Sequence, residues 1–403
     1  MDQPSPAVRP RGCMLAREDI STPATLSGMP YAVYTGMQEW AEVVRAFPVR
    51  MPIEYAYTPL VWFHRWRGRG FSRGKALGTA RQRARHARRL EAREPFDFWV
   101  MPMLDLAAFI EGERPVVTFH DAPYTQLMGL YDDYARMIEA QKRDMWTLDR
   151  AAAARADVIV YASDWAARWA IERLGAAPEK VRVIPFGANI EPLPADEVDA
   201  VLDQRLQGPP RILFIGADWQ RKGGPLVLRA FELLKARLPE LELHLVGRIP
   251  IAADELPAGA HNHGFLSLGD PAQRARRDWL YRSCSVLAVP SEAEALGIVF
   301  CEAAALAMPP IGRAVGGIPT VIDDNVNGRL VSPAATPDEL AATIEAVIAS
   351  PAEYRRLARA AYRHYAERLN WRRFNADLRD AVLSVLDGSS GATGSRSPAA
   401  TSA

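Results

Sequence analysis

Cysteine is scarce in this chain: Cys13, Cys284 and Cys301 are the only three among 403 residues. The odd count and the wide spacing exclude a disulfide framework and a cysteine-based metal site, and they point to a reducing compartment. Net charge is nearly absent as well. The formal value of +1 provides no global pull toward nucleic acid. The opening residues, MDQPSPAVRPRG, lack an apolar signal core. The longest apolar stretch of the N-terminal half, Phe96 to Ile110, is broken by Asp97 and Asp105 and is too short to span a bilayer. No Gly-x-Gly-x-x-Gly follows a strand with an acidic residue downstream, which argues against a dehydrogenase. The expectation is a cytoplasmic protein.

What is present is the composition of an ordinary globular chain, with 49% hydrophobic and 24% charged residues. At this length two cores are expected. The C-terminal half alternates strands (Arg211 to Ile215, Leu241 to Val246, Ser285 to Val289, a short one at Pro310) with helices such as Pro225 to Arg237. Thr336-Pro-Asp-Glu339 and Ser350-Pro-Ala-Glu353 are capping boxes, each opening an amphipathic helix. This alternation predicts an α/β, doubly wound parallel sheet with ligands at the carboxyl ends of its strands, where Lys222, Gly247 and Glu294 fall. The N-terminal half is less regular. Strands are predicted at Phe96 to Met101, Pro115 to Phe119, Asp157 to Tyr161 and Val181 to Ile184, and helices at Tyr31 to Phe47, Arg73 to Glu94, Tyr134 to Arg155 and Trp165 to Leu174. The Pro- and Asp-rich stretch Glu191 to Pro210 reads as a linker. The expected domains are therefore 1–200 (with 1–12 disordered) and 201–370, then a helix over 371–386 and a disordered tail over 387–403.

The densest signal is PSEAEALGIVFCEAAALAMPPIGRAVGG, from Pro290 to Gly317. Glu302 is the lone charge among Ile298, Val299, Phe300, Cys301, three alanines and Leu306, a run that reads as a helix buried on most sides. A carboxylate there needs a partner or incurs a desolvation cost of several kcal/mol. A vicinal diol such as a ribose would satisfy both oxygens. The turn Ala295-Leu296-Gly297, leading into Ile298, offers free N–H groups to a phosphate. The plain alternative is that Glu302 lies on a solvated stripe and Glu294 is a loop charge.

The pair Glu294 and Glu302, set after Pro290-Ser291 and before a strand and Gly316-Gly317, resembles the signature of the retaining glycosyltransferases of family four. The resemblance covers nearly the whole chain and is strongest from Arg211 to Val331. It implies a GT-B architecture, two Rossmann-like domains facing a central cleft, and a nucleotide-diphosphate sugar as donor. It implies further that Glu294 binds sugar hydroxyls, Glu302 the ribose, the backbone near Gly264 and Leu266 the base, and Lys222 the diphosphate. His120, closing a strand, would contact the transferred sugar, and Gly28 would belong to a glycine loop near the diphosphate. Ile184 to Asn189 resembles the element before the hinge. Two departures stand out. Gly216 is followed by Ala217-Asp218 where the family has an arginine, so Arg221 is the candidate second cation. Ala295 stands where the family has glycine. Family members retain anomeric configuration by front-face attack, and no side chain here is poised as a covalent nucleophile. There is no Asp-x-Asp triplet, so no metal and no cofactor are expected, and Lys222 with N–H dipoles would balance the leaving group's charge.

The segment from residue 62 to 93 differs in kind. It is rich in arginine from Arg65 to Arg93 and opens with Trp62, Phe63 and Trp66. Such a segment suits an anionic membrane surface or a polyanionic acceptor, or is simply a solvated helix. Clustering of the aromatics at one end disfavours nucleic acid. The sequence thus reads as a glycosyltransferase acting on a glycan or lipid-linked acceptor in cell-envelope or exopolysaccharide synthesis, with peripheral contact at the inner membrane face. The rivals are a nucleotide-sugar epimerase or phosphorylase on the same fold, and a non-catalytic sugar-nucleotide-binding subunit.

Overall fold

The computed structural model of the chain describes residues 9–17, 19–22, 28–48, 51–267 and 269–393. The chain forms two compact units, one from residues 1–184 with 375–403 and the other from Pro185–Phe374. The boundary thus falls at Ile184, before the expected 200, and the linker stretch 191–210 carries the helix Val198–Gln207.

The first unit is built on a six-stranded parallel sheet: β1 (Arg11–Ala16), β2 (Glu42–Pro48), β3 (Phe98–Met101), β4 (Val116–His120), β5 (Val158–Tyr161) and β6 (Val181–Val183), in the order β2-β1-β3-β4-β5-β6. β3, β4 and β5 are buried along their whole length, as strands covered on both faces must be. Two expectations are corrected here. Arg11 and Gly12 lie in a strand, whereas residues 1–8 fall outside the described residues. The helix expected over Tyr31 to Phe47 stops at Trp40, and Glu42–Pro48 pairs with β1. Strand propensity at Val43 and Val44 is weak evidence alone; sheet pairing decides it.

The basic segment is also more divided than expected. It holds the end of the helix Thr58–Trp66 and the helix Leu77–Glu91, separated by a 3-10 turn at Arg73–Lys75, and the helix Pro52–Ala56 precedes it. Likewise the long helix before β5 starts at Glu139 rather than Tyr134.

The second unit carries β7 (Arg211–Gly216), β8 (Glu242–Gly247), β9 (Ala260–Asn262), β10 (Val286–Val289), β11 (Pro310–Arg313) and β12 (Arg329–Val331), all parallel, in the order β12-β11-β10-β7-β8-β9. Both capping boxes form, with Thr336 Oγ1 accepting from Glu339 N at 3.2 Å and Ser350 Oγ from Glu353 N at 3.3 Å. The last helix runs Trp371–Thr393, through part of the stretch expected to be disordered; residues 394–403 lie outside the described residues. Asn375 in that helix donates to Ala32 O at 3.2 Å, and a Cβ at Gly36 would sit 2.1 Å from its amide, so this helix needs a glycine opposite it.

Strand order fixes where each unit can hold a ligand. Connections leave β7 to one side for β8 and β9 and return to its other side for β10, so the chain reverses between β7 and β10. In the first unit the same reversal falls between β1 and β3. Crevices open at the carboxyl ends of strands at such points.

Candidate functional site

In the second unit, the loops after β7 and β10 are tied together. Glu292 N donates to Arg221 O at 2.8 Å, and Arg221 Nη1 donates to Ala293 O at 2.9 Å. Gly223 adopts φ 77°, and a Cβ there would lie 2.4 Å from Pro290 O, so only glycine lets the loops meet. Lys222 Nζ forms an ion pair with Glu294 Oε2, which also accepts from Ser291 Oγ at 3.5 Å. Glu294 is buried, at 8% exposure. Its carbonyl accepts from Gly317 N at 2.9 Å, and a side chain at Gly316 would collide with that carbonyl. The Pro-Ser, first Glu and Gly-Gly of the sequence pattern thus converge on one crevice with Lys222.

Arg221, the candidate second cation, stands at the same crevice, with Nη1 3.9 Å from Glu294 Oε2. Its guanidinium is engaged by Ala293 O and, at 3.4 Å, by Asp218, so it laces the two loops. Gly247 ends β8 beside this crevice, where a Cβ would lie 1.8 Å from Gly216 O, and its N–H donates to Gly264 O at 2.9 Å. Leu266, half-buried, follows in the same loop. Ala295 and Leu296 are buried, Gly297 takes φ 91° as the N-cap, and Ile298 starts the helix Ile298–Ala305, in whose first turn Phe300 N already donates to Gly297 O at 2.9 Å.

Glu302 is 2% exposed, as a lone acid in an apolar helix suggested, but its partners are the protein's own. Tyr281 Oη donates to Oε2 at 2.6 Å, and Arg277 Nη2 pairs with Oε1. Both come from the helix Pro271–Ser283. The inference that burial alone demands a ribose is therefore corrected: an internal cation and a phenol meet that demand. Burial works against the Arg277 charge, yet the Glu302 carboxylate and the Tyr281 phenol together outweigh it and raise the pKa. Burial also pushes the Tyr281 phenol well up, so it stays a hydrogen-bond donor. Arg277 and Tyr281 were missed in the sequence, although their i, i+4 spacing puts them on one inward face with Leu280.

In the first unit, His120 closes β4 at 1% exposure, its ring 4.4 Å from that of Tyr161. Burial lowers its pKa to about 4, opposed by a backbone bond at Ala122, so the ring is neutral at physiological pH. Nε2 has no protein partner. Gly28, at φ 75°, is the N-cap of the helix Met29–Trp40; Thr25 to Ser27 lie outside the described residues.

A cluster that sequence reading passed over lies at this unit's own reversal point. Arg17 follows β1 and pairs with Asp105, which follows β3; Arg83 approaches the same carboxylate at 3.4 Å. Arg17 Nη1 donates to Tyr124 Oη at 3.1 Å. The Lys75 ammonium lies 4.1 Å from the Tyr124 ring centroid and 3.8 Å from that of Tyr134. Burial, then Arg17, lowers the Lys75 pKa to about 7, and burial raises that of nearby Asp149 to about 7. Arg17 Nε and Arg83 Nε are buried without partners. Arg17 and Arg83 thus share the Asp105 carboxylate, with the Lys75 ammonium close by between two aromatic rings. The signal for Arg83 was present in the sequence, at an inward position of Leu77–Glu91 beside Ala80, Ala84 and Ala87.

Among the described residues, no group of three or more His, Cys, Asp or Glu is placed to hold a metal ion, and no helix is long and apolar enough to cross a membrane.

The sequence matches the model of the glycosyl transferases group 1 over residues 203–364 and that of glycosyltransferase family 4 over residues 41–192. D-inositol 3-phosphate glycosyltransferase of Xylanimonas cellulosilytica is 33% identical over 246 residues, which are 58% of this chain and 57% of that protein. Its namesake in Nocardiopsis dassonvillei is 33% identical over 241 residues, 56% of this chain and 55% of the relative. The matched region thus spans little more than half the length of these curated relatives. Among solved structures, sucrose-phosphate synthase from Thermosynechococcus elongatus superposes with a TM-score of 0.65 at 18% identity, covering 94% of this chain and 100% of that one. Anabaena HepE in complex with UDP and glucose gives 0.61 at 16% identity, covering 93% and 99%. At these identities the likeness is one of fold, and that fold is GT-B.

Proposed function

Because this chain belongs to the family-four glycosyltransferases, we propose that it moves a sugar from a nucleotide-diphosphate donor to a phosphate-bearing acceptor, with retention of anomeric configuration. The Lys222–Glu294 ion pair at the β7/β10 reversal carries the reading. As the anomeric bond breaks, charge grows on the departing diphosphate. Lys222 exchanges Glu294 for a phosphate oxygen, and the first-turn N–H groups at Ile298 add their dipoles. Glu294, relieved of its cation, accepts from sugar hydroxyls. Glu302 keeps Arg277 and Tyr281 and takes ribose hydroxyls on its remaining lone pairs, since a carboxylate offers about four acceptor positions. The neutral His120 presents Nε2 to a hydroxyl of the transferred sugar. The donor phosphate takes the acceptor's proton, so orientation and electrostatics are the protein's contribution, with fixed cations in place of a metal.

On the acceptor side, Lys75 and Arg17 receive the acceptor's anionic group. The relatives named for D-inositol 3-phosphate glycosyltransferase act on a phosphate-bearing acceptor, which agrees with that cluster. A lipid-linked diphosphate glycan at the cytoplasmic face of the membrane, as in cell-envelope or exopolysaccharide synthesis, has the same chemistry.

The test begins with a panel of nucleoside diphosphates and their sugars, read by thermal shift, and then measures transfer by wild type and Lys222→Ala. Removing one stabiliser of developing charge is expected to cost roughly 10²–10³ in turnover. Undiminished turnover would remove Lys222 from the site. Incubating the donor alone separates the rivals: an epimer, or phosphate-dependent cleavage, would replace transfer as the reaction.

A further inference from the structure

The helix Thr58–Trp66 faces the wrong way for a globular domain. Its apolar stripe of Pro59, Trp62, Phe63 and Trp66, at i, i+3, i+4 and i+7, is turned to solvent, and none of its residues is buried. Trp66 is 84% exposed, Trp62 68% and Phe63 48%, and Leu60 adds to the patch at 42%. Ordinarily such a stripe packs on the core, and a contiguous exposed one marks an interaction surface. Arg65, Arg67 and Arg69 are exposed at the end of the same helix, with the Arg67 guanidinium 5.6 Å from the centre of the Phe63 ring. From Tyr55 to Leu90 the sequence contains no aspartate or glutamate.

We propose that this helix docks the protein on an anionic lipid bilayer, with Trp62, Phe63 and Trp66 in the headgroup–acyl boundary and the arginines against lipid phosphates. Trp and Phe beside Arg is the composition of segments that lie in a membrane interface, where amphipathic rings sit at headgroup level and long cationic side chains reach up to the charge. A second copy of the chain is a poor occupant, because symmetric apposition would place one acid-free arginine collar against another. The structure also narrows which part of the basic segment docks. Arg83 is turned inward to Asp105, and Arg88 pairs with Glu111, so the helix Leu77–Glu91 spends part of its charge within the unit. Docking rests on this surface alone and does not depend on the transfer chemistry.

The experiment is co-sedimentation of the full chain with vesicles of phosphatidylcholine alone and with about 30% phosphatidylglycerol, for wild type, Trp62→Ser/Trp66→Ser and Arg65→Gln/Arg67→Gln. Wild type is expected to bind the anionic vesicles at least tenfold more strongly than the neutral ones, less so as salt rises. Each double variant should lose at least tenfold of that binding with an unchanged melting temperature and far-ultraviolet spectrum, since all four side chains are exposed. Absence of vesicle binding by wild type, or binding that both variants retain, overturns the proposal. So does a lipid-free wild-type dimer in sedimentation velocity that Trp62→Ser/Trp66→Ser makes monomeric, which would assign the patch to self-association.

Discussion

Glu302 tolerates its apolar helix because Arg277 and Tyr281 meet it there. The reverse dependence is as strong, since Arg277 is almost as buried and has this carboxylate as its counter-charge. Glu302→Ala is therefore expected to destabilise the second unit by roughly 3–5 kcal/mol, the cost of breaking a buried pair from one side. Glu302→Gln, which keeps one carbonyl oxygen for Arg277 and donates from its NH2 to Tyr281 Oη, should lose less. Urea unfolding of the two variants checks this, and equal, small losses in both would mean that water reaches the pair. Turnover is therefore better judged in the Gln variant. Nothing within residues 298–306 signals this partnership, because Tyr281 lies 21 positions upstream on another helix.

At the scale of elements, β8 and β9 carry a histidine stack that has no part in the proposed chemistry. His244 lies between His261 and His263, with ring centroids 5.1 and 5.2 Å apart, and His244 Nδ1 is 3.0 Å from His263 Nε2. Burial, opposed by Glu242, lowers the His244 pKa from its ordinary 6.5 to about 4; burial and then His244 lower that of His263 to about 4. Between these values the unfolded chain binds more protons than the folded one, so stability contributed above pH 6.5 is lost as pH falls toward 4. The melting temperature is expected to drop across that window, and the drop should be shallower in His244→Asn. Identical slopes in variant and wild type would show that carboxylates elsewhere cause it. A backbone prediction belongs at this scale too. Gly247→Ala sets a Cβ against Gly216 O at φ 142°, and the strain should cost at least 1–3 kcal/mol, roughly the penalty of a disallowed conformation, measured in the same urea series.

For the molecule as a whole, each unit repeats one plan: a parallel sheet whose order reverses once, with charged loops at the reversal. In the second unit the charges are Lys222 and Glu294; in the first they are Arg17 and Asp105 with Arg83. Fixed cations in both places lead to a prediction for the intact protein. Transfer should be insensitive to EDTA, and a strict requirement for added magnesium would count against cations as the sole balance of the leaving diphosphate. Donor binding should also raise the melting temperature, since a ligand at one hundred times its Kd adds about 2.7 kcal/mol to the folded state.

The α/β class, most strands of both sheets, the capping boxes and the loops bearing Lys222 and Glu294 were legible in the sequence, because burial of parallel strands, side-chain caps and glycine-dependent turns are local constraints written in consecutive residues. β1 and β2 were not, because an edge pairing depends on a partner far along the chain and Glu42–Pro48 has no local reason to prefer it over a helix. Nor were Arg277 and Tyr281 as partners of Glu302, the lacing of two loops by Arg221, or the Arg17–Asp105–Arg83 cluster. By itself the sequence determined where charge could stand at the ends of strands. Only the tertiary structure decided which charges meet, since ion pairing inside a protein is a matter of distance and burial, and the order of residues along a chain specifies neither.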